Sequence, residues 1–247
     1  MSPLPGSDLD TVYVWVSAGS GTPQAVARRL LVTAGVTLLG RPAAQIRTGH
    51  APSGAPWVVA GTDDRLWVSV SHAPGVVAVA ASRHHPVGVD VERPYRAAVA
   101  GLAGRWFHPA EVDWLGRQPP AGRPGSFLLL WTAKEAVGKA LGTGLAGGGL
   151  RRRVPAPRVG AGWLPVPDED GLRVAHPVLA GDAVLAVAVV GGGPHTALVL
   201  SGPGPAGRPV GPGHGGPLPR RGTTGHDAAP RSTDGSRTSL PVVVRGN

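Results

Sequence analysis

Short apolar, β-branched runs alternate with longer segments of helical periodicity over the first 200 residues. A run of this kind that is bounded by turn-forming residues is typical of a β-strand. The strand-like runs lie at residues 11–17, 57–61, 66–82, 86–92 and 181–201. The third run contains His-Ala-Pro-Gly and the last contains three consecutive glycines, so each is predicted to form two strands that pair as a hairpin.

Three segments carry helical patterns instead. Thr22 is placed to cap the first helix, and Gly40 is placed to stop it. The second helical segment spans residues 101–116, where Glu111 near a helix start favours the helix dipole. The third, residues 131–141, is predicted to end at the glycines that follow it.

The interleaving of strands and helices in both halves predicts an α+β or α/β protein. A boundary near residues 93–103 would separate an N-terminal α+β unit, residues 1–100, from a C-terminal α+β unit, residues 101–200. The remainder, residues 201–247, is rich in Gly, Pro and Arg and has almost no apolar periodicity, so it is predicted to be disordered. Within it, only the Leu-Pro-Val-Val-Val run at 240–244 has strand character.

The positive charge of the chain lies partly in this tail. The whole chain has 24 basic and 15 acidic side chains; removing the tail's six arginines and two aspartates leaves a net charge of +5 on the rest. This mild excess suits an anionic ligand or an acidic partner. It does not indicate a nucleic-acid-binding protein, because the one basic cluster, at residues 151–153, has no interleaved aromatic residues.

Other classes of protein are excluded by what the sequence lacks. The chain has no cysteine, so it has neither a disulfide framework nor a thiolate metal site. It has no basic, apolar leader at its start and no stretch of 18 apolar residues. We therefore expect a cytoplasmic protein without a membrane span.

The first candidate chemistry lies in the Gly-Val-Asp-Val-Glu run at residues 88–92. Because side chains alternate along a strand, Asp90 and Glu92 should share one face. Two carboxylates this close repel each other unless a cation or a basic group lies between them. They indicate either a cation site or a solvated strand edge.

The helix from residue 131 holds the only two lysines of the chain, Lys134 and Lys139. Trp131, Glu135 and Lys139 are spaced four apart and therefore share a face. An ordinary surface ion pair is one interpretation, but the apolar neighbours of the pair indicate a buried helix, where such charges are costly. Glu135 could instead join the two carboxylates of the strand in an oxygen-rich site of the type that Mg²⁺ prefers.

A third candidate lies at the end of the strand in residues 66–82. Ser69 and Ser71 share a face there, and His72 follows where the turn is predicted. A hydroxyl and an imidazole at a strand end can hold a phosphate group, although a lone histidine can also be purely structural. The adjacent serine and histidine are not a hydrolase pair, because no Gly-x-Ser-x-Gly motif surrounds them.

The order of these motifs resembles that of the Sfp-type 4′-phosphopantetheinyl transferases. The family pattern has a Ser-His pair, then Gly-[Ile/Val]-Asp-x-Glu, then Trp-x-x-Lys-Glu-[Ala/Ser]-x-x-Lys and a Gly-x-Gly-Leu loop. Matching segments occur here in order at residues 71–72, 88–92, 131–139 and 142–145. Residues 105–115 are similar to a further Arg-aromatic-Phe-x-x-x-Glu stretch of the family.

The resemblance implies two similar α+β halves related by a pseudo-twofold axis, with coenzyme A in the cleft between them. It implies that Asp90, Glu92 and Glu135 bind Mg²⁺, or Mn²⁺, together with the coenzyme A pyrophosphate. Glu135 would act as general base on the serine of a carrier protein, and Lys139 would neutralise charge on the departing phosphate. The partners would be coenzyme A and acidic acyl- or peptidyl-carrier proteins, and the enzyme would act as a monomer.

The resemblance also implies four residues that contact coenzyme A. These are Arg29, Ser71, His72 and Lys134. The chain departs from the family on the adenosine side, where Ala55 replaces the lysine of a Gly-Lys-Pro motif and residues 17–27 contain no basic side chain. A protein that binds coenzyme A or carrier proteins without turnover is therefore the alternative interpretation.

Overall fold

The computed structural model describes residues 11–18, 21–94, 99–146, 148–193, 196–201 and 242–244. The α-helices are α1 (Pro23–Leu39), α2 (Val99–Trp106), α3 (Pro109–Gly116) and α4 (Arg123–Ala140). The strands of the first half are β1 (Thr11–Ser17), β2 (Ile46–His50), β3 (Pro56–Ala60), β4 (Asp64–Ala73), β5 (Val76–Ser82) and β6 (Val87–Glu92). Those of the second half are β7 (Leu164–Pro165), β8 (Leu172–Ala175), β9 (Val184–Val190), β10 (Ala197–Ser201) and β11 (Val242–Val244).

The strands form two sheets, which confirms the predicted α+β class. One sheet has the order β11-β10-β1-β5-β4-β3-β2, and the other has the order β6-β9-β8-β7. Three apolar cores separate four layers: α1 packs on the seven-stranded sheet, the two sheets pack on each other, and α4 covers the outer face of the four-stranded sheet. No helix in the described part of the chain is long and apolar enough to cross a membrane.

The first helix and the first hairpin follow their sequence signals. Thr22 Oγ1 accepts a hydrogen bond from the backbone N–H of Ala25, and Gly40 ends α1 with φ 66°. Strands β4 and β5 pair in an antiparallel register that continues to Ala73 opposite Val76. The turn is therefore shorter than predicted, and His72 lies within β4.

The segment predicted to be helical over residues 101–116 is divided into two helices. His108 caps α3: its side chain accepts from the N–H of Ala110 at 3.2 Å, while Glu111 accepts from the N–H of His108 at 3.0 Å. This reciprocal capping box gives hydrogen-bond partners to the two N–H groups, which in a continuous helix would donate to carbonyls of the preceding turn. His108 itself is extended, with ψ 142°, and this interrupts the helix between α2 and α3.

The predicted hairpin in residues 181–201 is wrong. Strand β9 lies in the four-stranded sheet, whereas β10 pairs in parallel with β1 in the other sheet. Leu198 contributes to the core between the sheets and Val199 to the core beneath α1, so β10 is buried on both faces. Beside β1, strand β10 contacts an apolar core on each of its faces. A strand in an isolated hairpin would not have a core on both faces.

The two sheets exchange strands across the predicted boundary near residue 100. Strand β6 comes from the first half but pairs with β9, and β10 comes from the second half but pairs with β1. The division into residues 1–100 and 101–200 stays a prediction.

In the predicted tail, β11 pairs antiparallel with β10, so Val242–Val244 is a strand rather than disordered chain. Residues 202–241 and 245–247 of that prediction lie outside the described residues.

Strand β6 and helix α4 approach each other so closely that their contact needs glycine. A Cβ atom at Gly88 would overlap the backbone carbonyl oxygen of Ala136. A second close contact lies near the end of the helix, where a Cβ at Gly138 would overlap the carbonyl oxygen of Gly144 in the following loop. These contacts bring the loop, the helix and the strand together at one place.

We expect Gly88→Ala to destabilise the protein by about 1–3 kcal/mol or more, because the atoms that the new methyl group meets belong to the backbone and cannot move aside. Urea unfolding followed by circular dichroism measures this change. Gly125→Ala in α4, the helix that Gly88 contacts, is the control, since nothing lies within 4 Å of the Cβ position of Gly125. The control should keep or raise stability, by up to about 1 kcal/mol. Equal stability of the two variants would contradict the packing argument.

Candidate functional site

The candidate site is built around Asp90 on β6. Val89 and Val91 are fully buried in the core between the sheets, so the alternation of the strand turns Asp90 and Glu92 toward α4. Asp90 itself is buried, with 4% of its surface exposed. A carboxylate at this depth requires donors or a cation nearby.

The free edge of β6 is satisfied by side chains. Strand β6 ends the four-stranded sheet, so one of its edges has no neighbouring strand in that sheet. At this edge the N–H of Val89 donates to Ser69 Oγ at 3.1 Å, and Lys139 Nζ donates to the Val89 carbonyl at 3.1 Å. Strand β4 and helix α4 thus hold β6 from two sides.

The two oxygens of Asp90 have different surroundings. Its Oδ1 accepts from Ser71 Oγ at 2.8 Å and from Lys139 Nζ at 2.7 Å. Its Oδ2 is buried and has no hydrogen-bond partner among the described residues. A buried oxygen without a donor is costly, so Oδ2 is suited to a cation or to a donor from a ligand.

Glu92 and Glu135 lie within electrostatic range of Asp90. Burial, followed by the Asp90 carboxylate, raises the pKa of Glu135 above its usual value, and Lys139 opposes this shift. Burial and then Asp90 also raise the pKa of Glu92, with a smaller contribution from Glu135 and an opposing one from Lys139. One ammonium therefore faces three carboxylates, and the group as a whole favours an added positive charge.

The three carboxylates fit a hard cation by their chemistry but are not assembled around one. Within the described ranges, no three His, Cys, Asp or Glu side chains lie close enough together to hold a metal ion. Mg²⁺ commonly keeps several waters and takes only one or two carboxylates together with substrate phosphates, so a closed cage is not required. Asp90 Oδ2 provides an open ligand atom, and the metal role of Asp90, Glu92 and Glu135 stays a prediction.

Ser71 and His72 lie on opposite faces of β4, and their predicted contacts with coenzyme A stay predictions. The hydroxyl hydrogen of Ser71 is donated to Asp90 in the free protein. His72 is exposed and lies on the opposite face of β4, the face that carries Val68 and Val70 toward α1. The structure brings Ser71 to the carboxylates and leaves His72 on the other side of the sheet.

Arg29 lies on the same side of the seven-stranded sheet as His72. It is exposed on α1, where it borders a shallow surface hollow together with Arg28 and Thr33. No contact in the described ranges joins Arg29 to Asp90 or Glu135. Its predicted contact with coenzyme A stays a prediction.

The structure does not bring Lys134 to the site, and its predicted contact with coenzyme A stays a prediction. Its Nζ lies 2.6 Å from Glu111 Oε2 and also donates to the carbonyl of Arg152 at 2.6 Å. The ammonium lies 4.9 Å from the centre of the Phe107 ring, and 1% of the residue is exposed. Burial lowers the pKa of Lys134, although Glu111 opposes the shift. Because α4 turns 100° per residue, Lys134 and Glu135 point to different neighbours.

The sequence places Glu111 near a helix start and in a family-like stretch, but it did not predict the buried contacts that this residue makes. Its carboxylate accepts from Lys134, from the N–H of Val154 at 2.8 Å and from the N–H of His108. It therefore connects α3, α4 and the loop that contains Arg152. A glutamate at the third position after a helix cap was the available signal, but the capping box explains only one of these contacts.

Comparison with known proteins supports the motif resemblance. Residues 86–170 match the family model of the 4′-phosphopantetheinyl transferase superfamily. The chain is 36% identical over 92 residues to the 4′-phosphopantetheinyl transferase gsp of Aneurinibacillus migulanus, covering 37% of this chain and 36% of that protein. It is 31% identical over 117 residues to a 4′-phosphopantetheinyl transferase of Bacillus subtilis, covering 47% of this chain and 50% of that protein.

A third relative is the 4′-phosphopantetheinyl transferase HetI of Nostoc sp., which is 34% identical over 83 residues, covering 33% of this chain and 35% of that protein. The chain spans half or less of the length of each of these relatives. The matched stretch contains Asp90, Glu92, Glu135 and Lys139. The predicted family resemblance is confirmed.

Glu135→Gln should stabilise the free protein at pH 7. A pKa raised in the folded state means that the fold binds more protons than the unfolded chain just above pH 4.5, so repulsion lowers stability as pH rises through this window. The gain should disappear below about pH 4.5, where the unfolded carboxyl is also protonated. Thermal unfolding across pH 4–8 measures it. Asp113→Asn, which removes an exposed carboxylate from α3, is the control and should show no such gain.

Lys134→Met should lower the free energy of unfolding by about 3–5 kcal/mol, because it leaves the Glu111 carboxylate buried without its cation. Adding Glu111→Gln should recover part of the loss, since the amide oxygen still accepts from the backbone of Val154. Urea unfolding of the single and double variants tests this. Unchanged stability together with weakened coenzyme A binding would instead support the predicted phosphate-binding role of Lys134.

Proposed function

Since the chain is related to the 4′-phosphopantetheinyl transferases over residues 86–170, we propose that it transfers the 4′-phosphopantetheine arm of coenzyme A to a serine of a carrier protein. The observation that carries the proposal is the grouping of Asp90, Glu92, Glu135 and Lys139 at one junction of β6 and α4, within the matched stretch. An ammonium among carboxylates is suited to phosphoryl transfer, where positioning and electrostatics supply most of the catalysis.

Glu135 is the proposed general base. The hydroxyl oxygen of the carrier serine attacks the phosphorus nearer the pantetheine, the serine proton passes to Glu135 directly or through a water, and the pyrophosphate P–O bond breaks to release 3′,5′-ADP. Burial and Asp90 raise the pKa of Glu135, which makes its carboxylate a stronger base than a solvated glutamate. Neither a hydrogen bond nor an ion pair with a described residue occupies Glu135.

Lys139 is the proposed electrostatic partner of the leaving phosphate. It is held between Asp90 and the Val89 carbonyl and keeps 28% of its side chain exposed, so it can face a ligand as well as the protein. Asp90, Glu92 and Glu135 would hold Mg²⁺, or Mn²⁺, which when bound neutralises phosphate charge. The buried Asp90 Oδ2 is the oxygen best placed among the described residues to contact it.

The proposed partners follow from the family and from the charge of the chain. Coenzyme A would bind in a cleft between pseudo-twofold-related halves, with Arg29 and His72 on the adenosine side. The net charge of +5 on residues 1–200 complements acidic acyl- or peptidyl-carrier proteins of polyketide, nonribosomal peptide or fatty acid synthesis. We further propose that the protein acts in the cytoplasm as a monomer.

Binding without turnover is the second candidate function. Ala55 lies in a tight turn, where its N–H donates to Ser53 Oγ, and it offers no cation at the position of the family's lysine. The absence of this lysine affects the adenosine side of the proposed site and leaves the carboxylates and Lys139 unchanged. The missing lysine is consistent with two outcomes: transfer activity with weak coenzyme A binding, or coenzyme A binding without transfer.

Incubation with an apo carrier protein, coenzyme A and Mg²⁺ should add one phosphopantetheine arm to the carrier, as measured by intact-mass spectrometry. Glu135→Gln should slow this transfer by about 10²–10⁴-fold, the usual contribution of a general base. Asp113→Asn, an equal change of charge on an exposed surface, should transfer at the normal rate. A chelator should abolish the reaction.

The same assay separates the two candidate functions. No mass gain with several carriers at millimolar coenzyme A, together with saturable coenzyme A binding, would support binding without turnover. Normal transfer by Glu135→Gln would contradict the role of Glu135 as base while leaving the transferase activity itself established.

A further inference from the structure

The hydroxyl of Ser71 lies at the carboxylate of Asp90, 2.8 Å from its Oδ1. We infer that Ser71 is a positioning residue, which orients Asp90 so that its second oxygen is presented to a divalent cation. This inference rests on the proposed function, since it assigns a cation to Asp90. It replaces the direct contact with coenzyme A that the sequence resemblance implied for Ser71.

The direction of the hydrogen bond follows from the chemistry of the two groups. An ionised aspartate only accepts hydrogen bonds, so the serine hydroxyl donates, at 2.8 Å from Oδ1. Ser71 is 8% exposed and Asp90 is 4% exposed, so water competes little for this bond. A charge-assisted hydrogen bond in such surroundings is stronger than one between neutral groups.

The neighbouring contacts make the orientation specific. Two residues before Ser71, on the same face of β4, Ser69 Oγ accepts from the N–H of Val89 and ties the backbone of β6 to β4. From the other side, Lys139 donates to Asp90 Oδ1 and to the Val89 carbonyl. Rotating the carboxylate would break its bonds to both Ser71 and Lys139, so Oδ1 is held and Oδ2 is left without a donor.

Removing the Ser71 hydroxyl should therefore act on cation binding. Without it, Lys139 alone holds the carboxylate, which can then rotate and direct both oxygens toward the ammonium. Residues that orient metal ligands typically contribute about 10- to 100-fold to metal affinity. If Ser71 instead donated to a coenzyme A phosphate, its loss would weaken coenzyme A binding in the absence of metal.

Isothermal titration of the full chain with Mg²⁺ alone, and separately with coenzyme A in the presence of a chelator, distinguishes these roles. We expect Ser71→Ala to raise the dissociation constant for Mg²⁺ by about 10- to 100-fold. Its coenzyme A affinity in chelator should stay within about twofold of the unsubstituted protein, because this measurement does not depend on the cation.

Ser82→Ala is the matched control. Ser82 is also a buried serine, 1% exposed, but its hydroxyl accepts from the N–H groups of His84 and His85 at the end of β5 and does not contact Asp90. Ser82→Ala should lower thermal stability about as much as Ser71→Ala does, while leaving the Mg²⁺ affinity unchanged. An equal loss of Mg²⁺ affinity in both variants would overturn the proposal, because the effect would then be general destabilisation.

Three further results would overturn it: unchanged Mg²⁺ affinity in Ser71→Ala, weakened coenzyme A binding in chelator, or no Mg²⁺ binding by the unsubstituted protein. The transfer assay distinguishes these failures from failure of the proposed function. Metal-dependent transfer with unchanged Mg²⁺ affinity in Ser71→Ala would leave the transferase standing and remove only the role of Ser71.

Discussion

The close approach of β6 to α4 is the constraint on which the rest of the site depends. Gly88 allows the strand to lie directly against the backbone of the helix at Ala136, where any side chain would overlap it. At this separation Lys139 reaches both Asp90 and the backbone of the strand. A larger residue at position 88 would move the helix outward and separate the ammonium from the carboxylate. A small residue without chemistry of its own thus determines the geometry of the charged ones.

The charges at this junction are unbalanced in the free protein. Three carboxylates, Asp90, Glu92 and Glu135, share the single ammonium of Lys139, and burial with mutual repulsion raises the pKa of two of them. Such an arrangement lowers the stability of the fold, as is common where a protein prepares a binding site. A bound cation would offset the repulsion, so folding and ligand binding act on the same group of side chains.

The two lysines show how one helix serves two different purposes. Lys134 and Lys139 differ by five positions on α4, which places them on different sides of it. Lys134 closes a buried connection to Glu111 and the chain beyond it, and Lys139 faces the edge of β6. The first contributes to the packing that orients the helix, and the second uses that orientation. Residue type alone does not distinguish the two roles.

Local patterns in the sequence determined the elements and the shared face of Asp90 and Glu92, because capping, turn formation and strand alternation depend on neighbouring residues. The helix between Thr22 and Gly40 is the clearest example. Only the tertiary structure decided that β10 leaves β9 to pair with β1, that Lys134 is buried against Glu111, and that the Ser71 hydroxyl points to Asp90. These outcomes depend on which cores and partners are available across the fold, and such long-range competition leaves no local pattern in the chain.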